Sequence, residues 1–302
     1  MNTSRQPSVL NQRIDHATRQ LRSGGDWLDV MGFAARLRGF SFANMLLIFD
    51  QYRERQASTR RVVVEPSLLA TRPEWSTIGC QVGGSQIGYS VFTHDRRGGF
   101  VVCDVTQLTP DSPAPTWGDP ILWGGRAPDG LLTQLETLIS VEGYQVIDDS
   151  DGVDDPISGS TDWDTRTVGV RFDASPAERV RMMATGLAGL YLQNLAHGVT
   201  TIQHDRLVVA RSAAAILCAA HGMVLDQHPA ESVDSWAGDL GDPARTQSIV
   251  ACGESARRVA LVILDQLDTS QTVDGNLASL GVSAPPTLFG SSVSTSGMAV
   301  TM

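Results

Sequence analysis

RVRMMATGLAGLYLQ, residues 179–193, has the length and the apolar rhythm of a buried helix. Just upstream, Ser175-Pro176-Ala177-Glu178 is a good helix start. Ser175 can cap, Pro176 suits the first turn, and Glu178 sits at the capping-box position. Between 179 and 193 there is no His, Glu or Asp, so the helix brings no imidazole or carboxylate to a reaction. It does carry Gly186 and Gly189, which in a helix interior cost roughly 1 kcal/mol each against alanine. Glycines retained at that cost permit close packing against a neighbour.

Upstream of this stretch, YQVIDD (144–149) and RTVGVRFD (166–173) read as strands. DGLLTQLETLISVEG (129–143) reads as an amphipathic helix ending at Gly143. Downstream, RLVVARSAAAILCAAHG (206–222) is predicted helical, and Asp242-Pro243 opens a last helix running to about residue 268. LTPDSPAPTWGDPILWGGRA (108–127) holds four prolines and is the expected domain connection. Before it, residues 8–38 are predicted helical with a break at SGGD (23–26), where Asp26 is the expected N-cap. FSFANMLLIFDQYRER continues as a further helix. RRVVVEP (60–66), IGYSVFT (87–93) and GGFVVCDVTQL (98–108) read as strands, with HDRRGG (94–99) as a hairpin turn. Residues 269–302 are a Ser/Thr/Gly-rich stretch with a single charge, Asp274; it is either a flexible tail or docks through Leu277, Leu280, Leu288 and Phe289.

The chain has 302 residues, 42 % of them hydrophobic, enough for one large domain or two ordinary ones. Its longest apolar runs, such as ANMLLIF and VALVIL, are too short to cross a bilayer, and the N-terminus has no apolar signal core. Cys80, Cys103, Cys218 and Cys252 show no CxxC spacing and read as reduced core thiols of a cytoplasmic protein. No lysine occurs, a bias expected first from a GC-rich genome. Residues 1–61 hold ten Arg against five acids, a net +5, while the remainder holds 13 Arg against 28 acids, a net −15. That distribution excludes wholesale coating of nucleic acid but leaves a local phosphate contact open.

The order of several short motifs resembles the ArdC-type antirestriction proteins. FSFANMLLI matches a family segment at Phe40 to Ile48, with Asn44, Leu46 and Leu47 in register. Trp75, Gly79, Val82 and GGSQIG stand for the next block, and FVVCDVTQ matches at Asp104, Val105 and Gln107. TDWDTRTVGVRFD is similar to the strand before the family's catalytic helix, and SAAAILCAAHGM followed by SVDSWAGD is similar to its later helix and turn. The similarity covers about residues 20 to 268. It implies an N-terminal domain associated with single-stranded DNA, then a zincin-like (ImmA/IrrE-type) metallopeptidase domain.

In such a domain two His at i and i+4 hold Zn²⁺, the Glu between them activates its water, and a later helix adds a carboxylate as third ligand. Laid on this chain, Thr185 and Gly189 stand where the His should be and Gly186 where the Glu should be. Val209 and Arg211 stand at the two candidate positions for the third ligand. The expectation is therefore no metal, no cofactor and no catalysis, with the former metal gap filled as core. His197, His204, His221 and His228 share no i, i+3 or i, i+4 spacing, so no relocated metal site is expected. IDDSDGVDDP (147–156) departs from a calcium loop at Ile147 and Ser158 and reads as a solvated acidic loop. No G-x-S-x-G, P-loop or dinucleotide fingerprint occurs.

For nucleic acid, Arg36, Arg38, Arg53, Arg55, Arg60 and Arg61 form a candidate phosphate-facing stripe, with Tyr52 as a candidate base-stacking ring. Phe40 and Phe42 either stack beside them or belong to the core. The resulting expectation is an α+β protein with an ArdC-like N-terminal domain at 1–115, a degenerate zincin-like domain at 116–268 and a tail at 269–302. It acts by binding single-stranded DNA or a DNA-processing protein in an antirestriction, mobile-element or phage setting, without a membrane. The alternatives are a protein-interaction or self-associating subunit that uses the tail, and a hydrolase with a new site.

Overall fold

The computed structural model describes residues 7–59, 63–112, 127–149, 160–195, 205–223, 232–239 and 243–267. The tail at 269–302, Arg60, Arg61, His197, His204, His228 and most of the acidic loop lie outside them.

The chain starts with three helices, α1 (Pro7–Gln20), α2 (Gly24–Arg36) and α3 (Phe42–Ser58). The N-cap of α2 is Ser23 and not Asp26. The Ser23 hydroxyl accepts the Asp26 N–H at 3.0 Å, and the Asp26 carboxylate accepts the Ser23 N–H at 3.0 Å. With the box closed in this sense, both glycines fall inside the first turn and the helix starts earlier than Asp26 alone would allow.

A first sheet has strand order β1-β3-β2, built from β1 (Leu69–Ala70), β2 (Tyr89–Phe92) and β3 (Gly99–Asp104), all antiparallel. The expected strand at 60–66 is absent over 63–66; pairing with β3 begins only at Leu69. Asp104 takes the Ser67 and Leu68 N–H groups at 2.9 and 3.1 Å and so fixes where that pairing starts. A short helix, α4 (Arg72–Thr77), follows β1.

Helix α3 closes the free edge of β2 with side chains. Asn44 Nδ2 donates to Phe92 O and Asn44 Oδ1 accepts the Phe92 N–H, at 3.1 and 2.8 Å. Gln51 treats Ser90 the same way, at 3.0 and 2.9 Å, and Arg55 donates to Gly88 O at 2.7 Å. Positions 88, 90 and 92 point their backbone groups outward, so three side chains on one helix face satisfy the edge. Asn44, one of the residues that carry the family resemblance, is thereby a structural clamp.

The second sheet contains β4 (Gln145–Asp149), β5 (Ser160–Asp162) and β6 (Thr167–Arg171) in the order β4-β6-β5. β4 runs parallel to β6, and β5 antiparallel. α5 (Leu131–Val141) and α6 (Pro176–Leu195) pack against it, and α7 (Asp205–Ala220), α8 (Val233–Ala237) and α9 (Pro243–Leu264) follow in the chain. α7 carries a run of buried alanines, Ala213, Ala214, Ala215, Ala219 and Ala220, and packs closely against α2, α6 and α9. Trp27 Nε1 donates to Ser212 Oγ at 2.8 Å and ties α2 to α7.

The main core runs unbroken from Leu10 in α1 to Leu267 after α9. The two parts expected at 1–115 and 116–268 therefore share one interior. All four cysteines are buried, and desolvation pushes the Cys218 thiol up to about 12. Among the described residues no helix is long and apolar enough to cross a membrane.

Candidate binding cleft

The start of α6 forms as its sequence predicts. Glu178 accepts the Ser175 N–H at 2.7 Å, and the Ser175 hydroxyl is 3.4 Å from the Glu178 N–H. Hydrogen bonds to its carboxylate from Ser175, from the hydroxyl first and then the backbone N–H, hold the Glu178 carboxyl below its usual range. From there one side of α6 is core: Val180, Met183, Ala184, Leu187 and Ala188 are all at most 1 % exposed.

Thr185, Gly186, Gly189, Leu192 and Gln193 recur at the spacing of a second helix face and line a cleft of about 500 Å³. Opposite them on α7 stand Arg206, Leu207 and Ala210. Thr161 of β5 and Trp163 of the following turn complete the lining. Thr185, Gly186 and Gly189, which the resemblance aligns with the family's two His and the Glu between them, thus meet at one cavity wall.

Neither Val209 nor Arg211 reaches this lining; Ala210 between them does. Val209 and Arg211 are 1 % and 9 % exposed and lie on other faces of α7. The cation at the cleft is Arg206, one turn before Ala210. The described residues that line the cleft do not fit zinc: none of them carries an imidazole, thiolate or carboxylate. Thr185 offers a hydroxyl that already donates to Arg181 O at 2.9 Å. Among the described residues no three His, Cys, Asp or Glu side chains come together. His221 is half-buried and bonds Leu217 O through Nδ1 at 2.9 Å; burial holds its pKa down.

The two glycines differ in what surrounds them. A Cβ on Gly186 would lie 2.6 Å from Val168 Cγ1, so here β6 presses directly on the helix. A Cβ on Gly189 would meet nothing within 4 Å. Gly189→Ala is therefore expected to raise stability by up to about 1 kcal/mol, the helix-propensity gain. Gly186→Ala is expected to lower it by about 1 kcal/mol, because overpacking against a stiff, buried valine outweighs that gain. Urea unfolding midpoints of the two variants check the opposite signs.

The mouth of the cleft is chemically mixed. Trp163 is 43 % and Leu207 46 % exposed. The Trp163 ring meets Tyr144 edge-on, with centroids 6.0 Å apart. Arg206 is exposed and has no ion-pair partner among the described residues. Asp162, beside Trp163, turns its carboxylate into the loop and accepts the Asp164 and Thr165 N–H groups at 2.9 and 3.0 Å. The Thr165 contacts, backbone first, hold its pKa below the usual range.

The four described arginines of the stripe make internal contacts. Arg36 pairs with Glu65, and Arg38 donates through Nε to Ala35 O at 2.9 Å. Arg53 lies 3.6 Å from Asp26 and over the Phe49 ring. Arg55 holds the β2 edge and sits 4.0 Å over the Tyr89 ring. Tyr52 is corrected as a stacking ring: it is 9 % exposed, stacked on Phe33, and its hydroxyl accepts from Gln56 at 2.7 Å. Phe42 is fully buried in the core, and Phe40 is partly buried and packs against it. The sequence reading missed Leu192 and Gln193, three and four positions beyond Gly189, and Arg206, four before Ala210. Helical spacing from those small residues was the available signal. Trp163 offered none, because only the sheet brings it to α6.

No protein-family model matches the chain, and no curated protein sequence matches it. Among solved structures the chain is similar to the crystal structure of the antirestriction ArdC protein from the R388 plasmid in its Mn(II)-bound form. The TM-score is 0.49 at 16 % sequence identity, over 76 % of this chain and 85 % of that one.

Proposed function

We propose that this chain is a binding protein rather than a hydrolase, that it acts on single-stranded DNA or on a protein that processes it, and that the α6–α7 cleft is its contact site. The composition of the cleft carries this reading. The cleft has an open volume of about 500 Å³, within the range of small-molecule sites, and none of the described residues lining it carries an imidazole, thiolate or carboxylate to serve as metal ligand or general base. The order of motifs that resembles the ArdC-type proteins supports the DNA setting and the antirestriction context. The commitment of Arg36, Arg38 and Arg55 to internal partners moves the expected contact from the α3 surface to the cleft.

Fluorescence anisotropy of a labelled single strand, titrated with the full chain over a series of salt concentrations, tests the DNA reading. A rise that weakens as salt increases is the expected result. A flat titration at low salt overturns it.

A further inference from the structure

Resting on the DNA-binding reading, we propose that the cleft receives one nucleotide unit of a single strand, with the base against Trp163 and its phosphate at Arg206.

Each wall of the cleft selects part of that ligand. Trp163 offers an exposed indole braced by Tyr144, a surface suited to a flat ring of any base identity. Arg206 is the single formal charge among the described lining residues, and none of these carries a carboxylate, so they favour an anionic group over a cation. Asp162 and Asp164 flank Trp163 in sequence. Their charge repels a phosphate from that end, which orients the ligand with the neutral base at Trp163 and the phosphate at Arg206. Gln193, with an amide that donates and accepts, also lines the cleft and suits the edge of a base. Gly189 leaves the wall between these groups without side-chain bulk, so a sugar can approach the helix backbone. One cation and one platform match a single nucleotide, not a tract.

The test compares the full-length chain with Gly189→Phe, Trp163→Ala and Arg206→Gln. The probes are a short single strand containing 2-aminopurine and a deoxynucleoside monophosphate. Gly189→Phe puts a ring into space that is empty around the Cβ, so it blocks the cleft; its urea midpoint verifies that the fold is retained.

The expected result is quenching of 2-aminopurine by the wild type, lost in Gly189→Phe and weakened roughly ten-fold in Trp163→Ala. Arg206→Gln should lower the slope of log affinity against log salt by about 0.7, the loss of one phosphate contact. Strand binding unchanged in a folded Gly189→Phe overturns the cleft assignment and leaves the DNA reading intact. Monophosphate binding that Gly189→Phe abolishes, without any strand binding, supports the cleft assignment and overturns the DNA reading. Binding of neither probe overturns both. Binding of an acidic aromatic peptide in place of either nucleotide probe overturns the nucleotide assignment.

Discussion

Arg245→Ala is expected to cost about 3–4 kcal/mol of unfolding free energy, from the loss of buried charge-assisted hydrogen bonds and of packing volume. Arg245, on α9, is 2 % exposed. Its guanidinium donates to Leu21 O at the end of α1 at 2.6 Å, to Gly238 O after α8, and to Asp234 at 2.8 Å. Truncation leaves two inward-facing carbonyls without a donor and a hole the size of the side chain. Asp234 is 45 % exposed and rehydrates, so most of the loss comes from the carbonyls. Arg245→Lys is expected to rescue little, because one ammonium cannot span three acceptors on separate segments. Urea unfolding followed by far-UV circular dichroism and tryptophan fluorescence reads the loss. A single coincident transition is expected, since the core is continuous. A loss below about 1 kcal/mol would contradict the hub assigned to this residue.

Gly253→Val is expected to cost about 3 kcal/mol by overpacking. A Cβ at Gly253 of α9 would lie 2.2 Å from two atoms of the Phe42 ring. That ring cannot retreat freely: Phe42 is fully buried and lies 5.7 Å, centroid to centroid, from Trp27. Trp27 in turn meets Trp236 edge-on at 5.2 Å and donates to Ser212. The strain therefore passes from α9 through α3 to α2 and α7. Adding Phe42→Leu to the Gly253→Val chain removes the ring atoms that clash and is expected to recover part of the loss. An unfolding midpoint for Gly253→Val equal to wild type would contradict the close approach.

Local chemistry made much of this fold legible. The capping residues of α6, the hairpin at His94–Gly98 and the strands β2, β3, β4 and β6 follow from short-range patterns. What was not legible depends on partners distant in the chain. RRVVVEP has the composition of a strand, yet the pairing site on β3 goes to Leu69 and Ala70. The parallel pairing of β4 with β6 needs β5 on the far side, and no signal in those three residues marks it. Asn44 and Gln51 look like interior polar residues of an apolar helix until β2 arrives with two residues to clamp.

The cleft shows the same division. The small residues Thr185, Gly186 and Gly189 at helical spacing are visible in the sequence. Which glycine packs and which opens depends on Val168, contributed by another element. Tyr52 was misjudged because an aromatic ring near arginines reads the same whether it faces water or Phe33.

The central proposal is that the cleft between α6 and α7 binds its ligand without a metal and without catalysis. Elemental analysis of the purified full chain, paired with a hydrolysis assay with and without chelator, tests it most directly. The account predicts no stoichiometric zinc or manganese and hydrolysis at background in both conditions. One tightly held transition-metal ion per chain, with hydrolysis that the chelator abolishes, would contradict it.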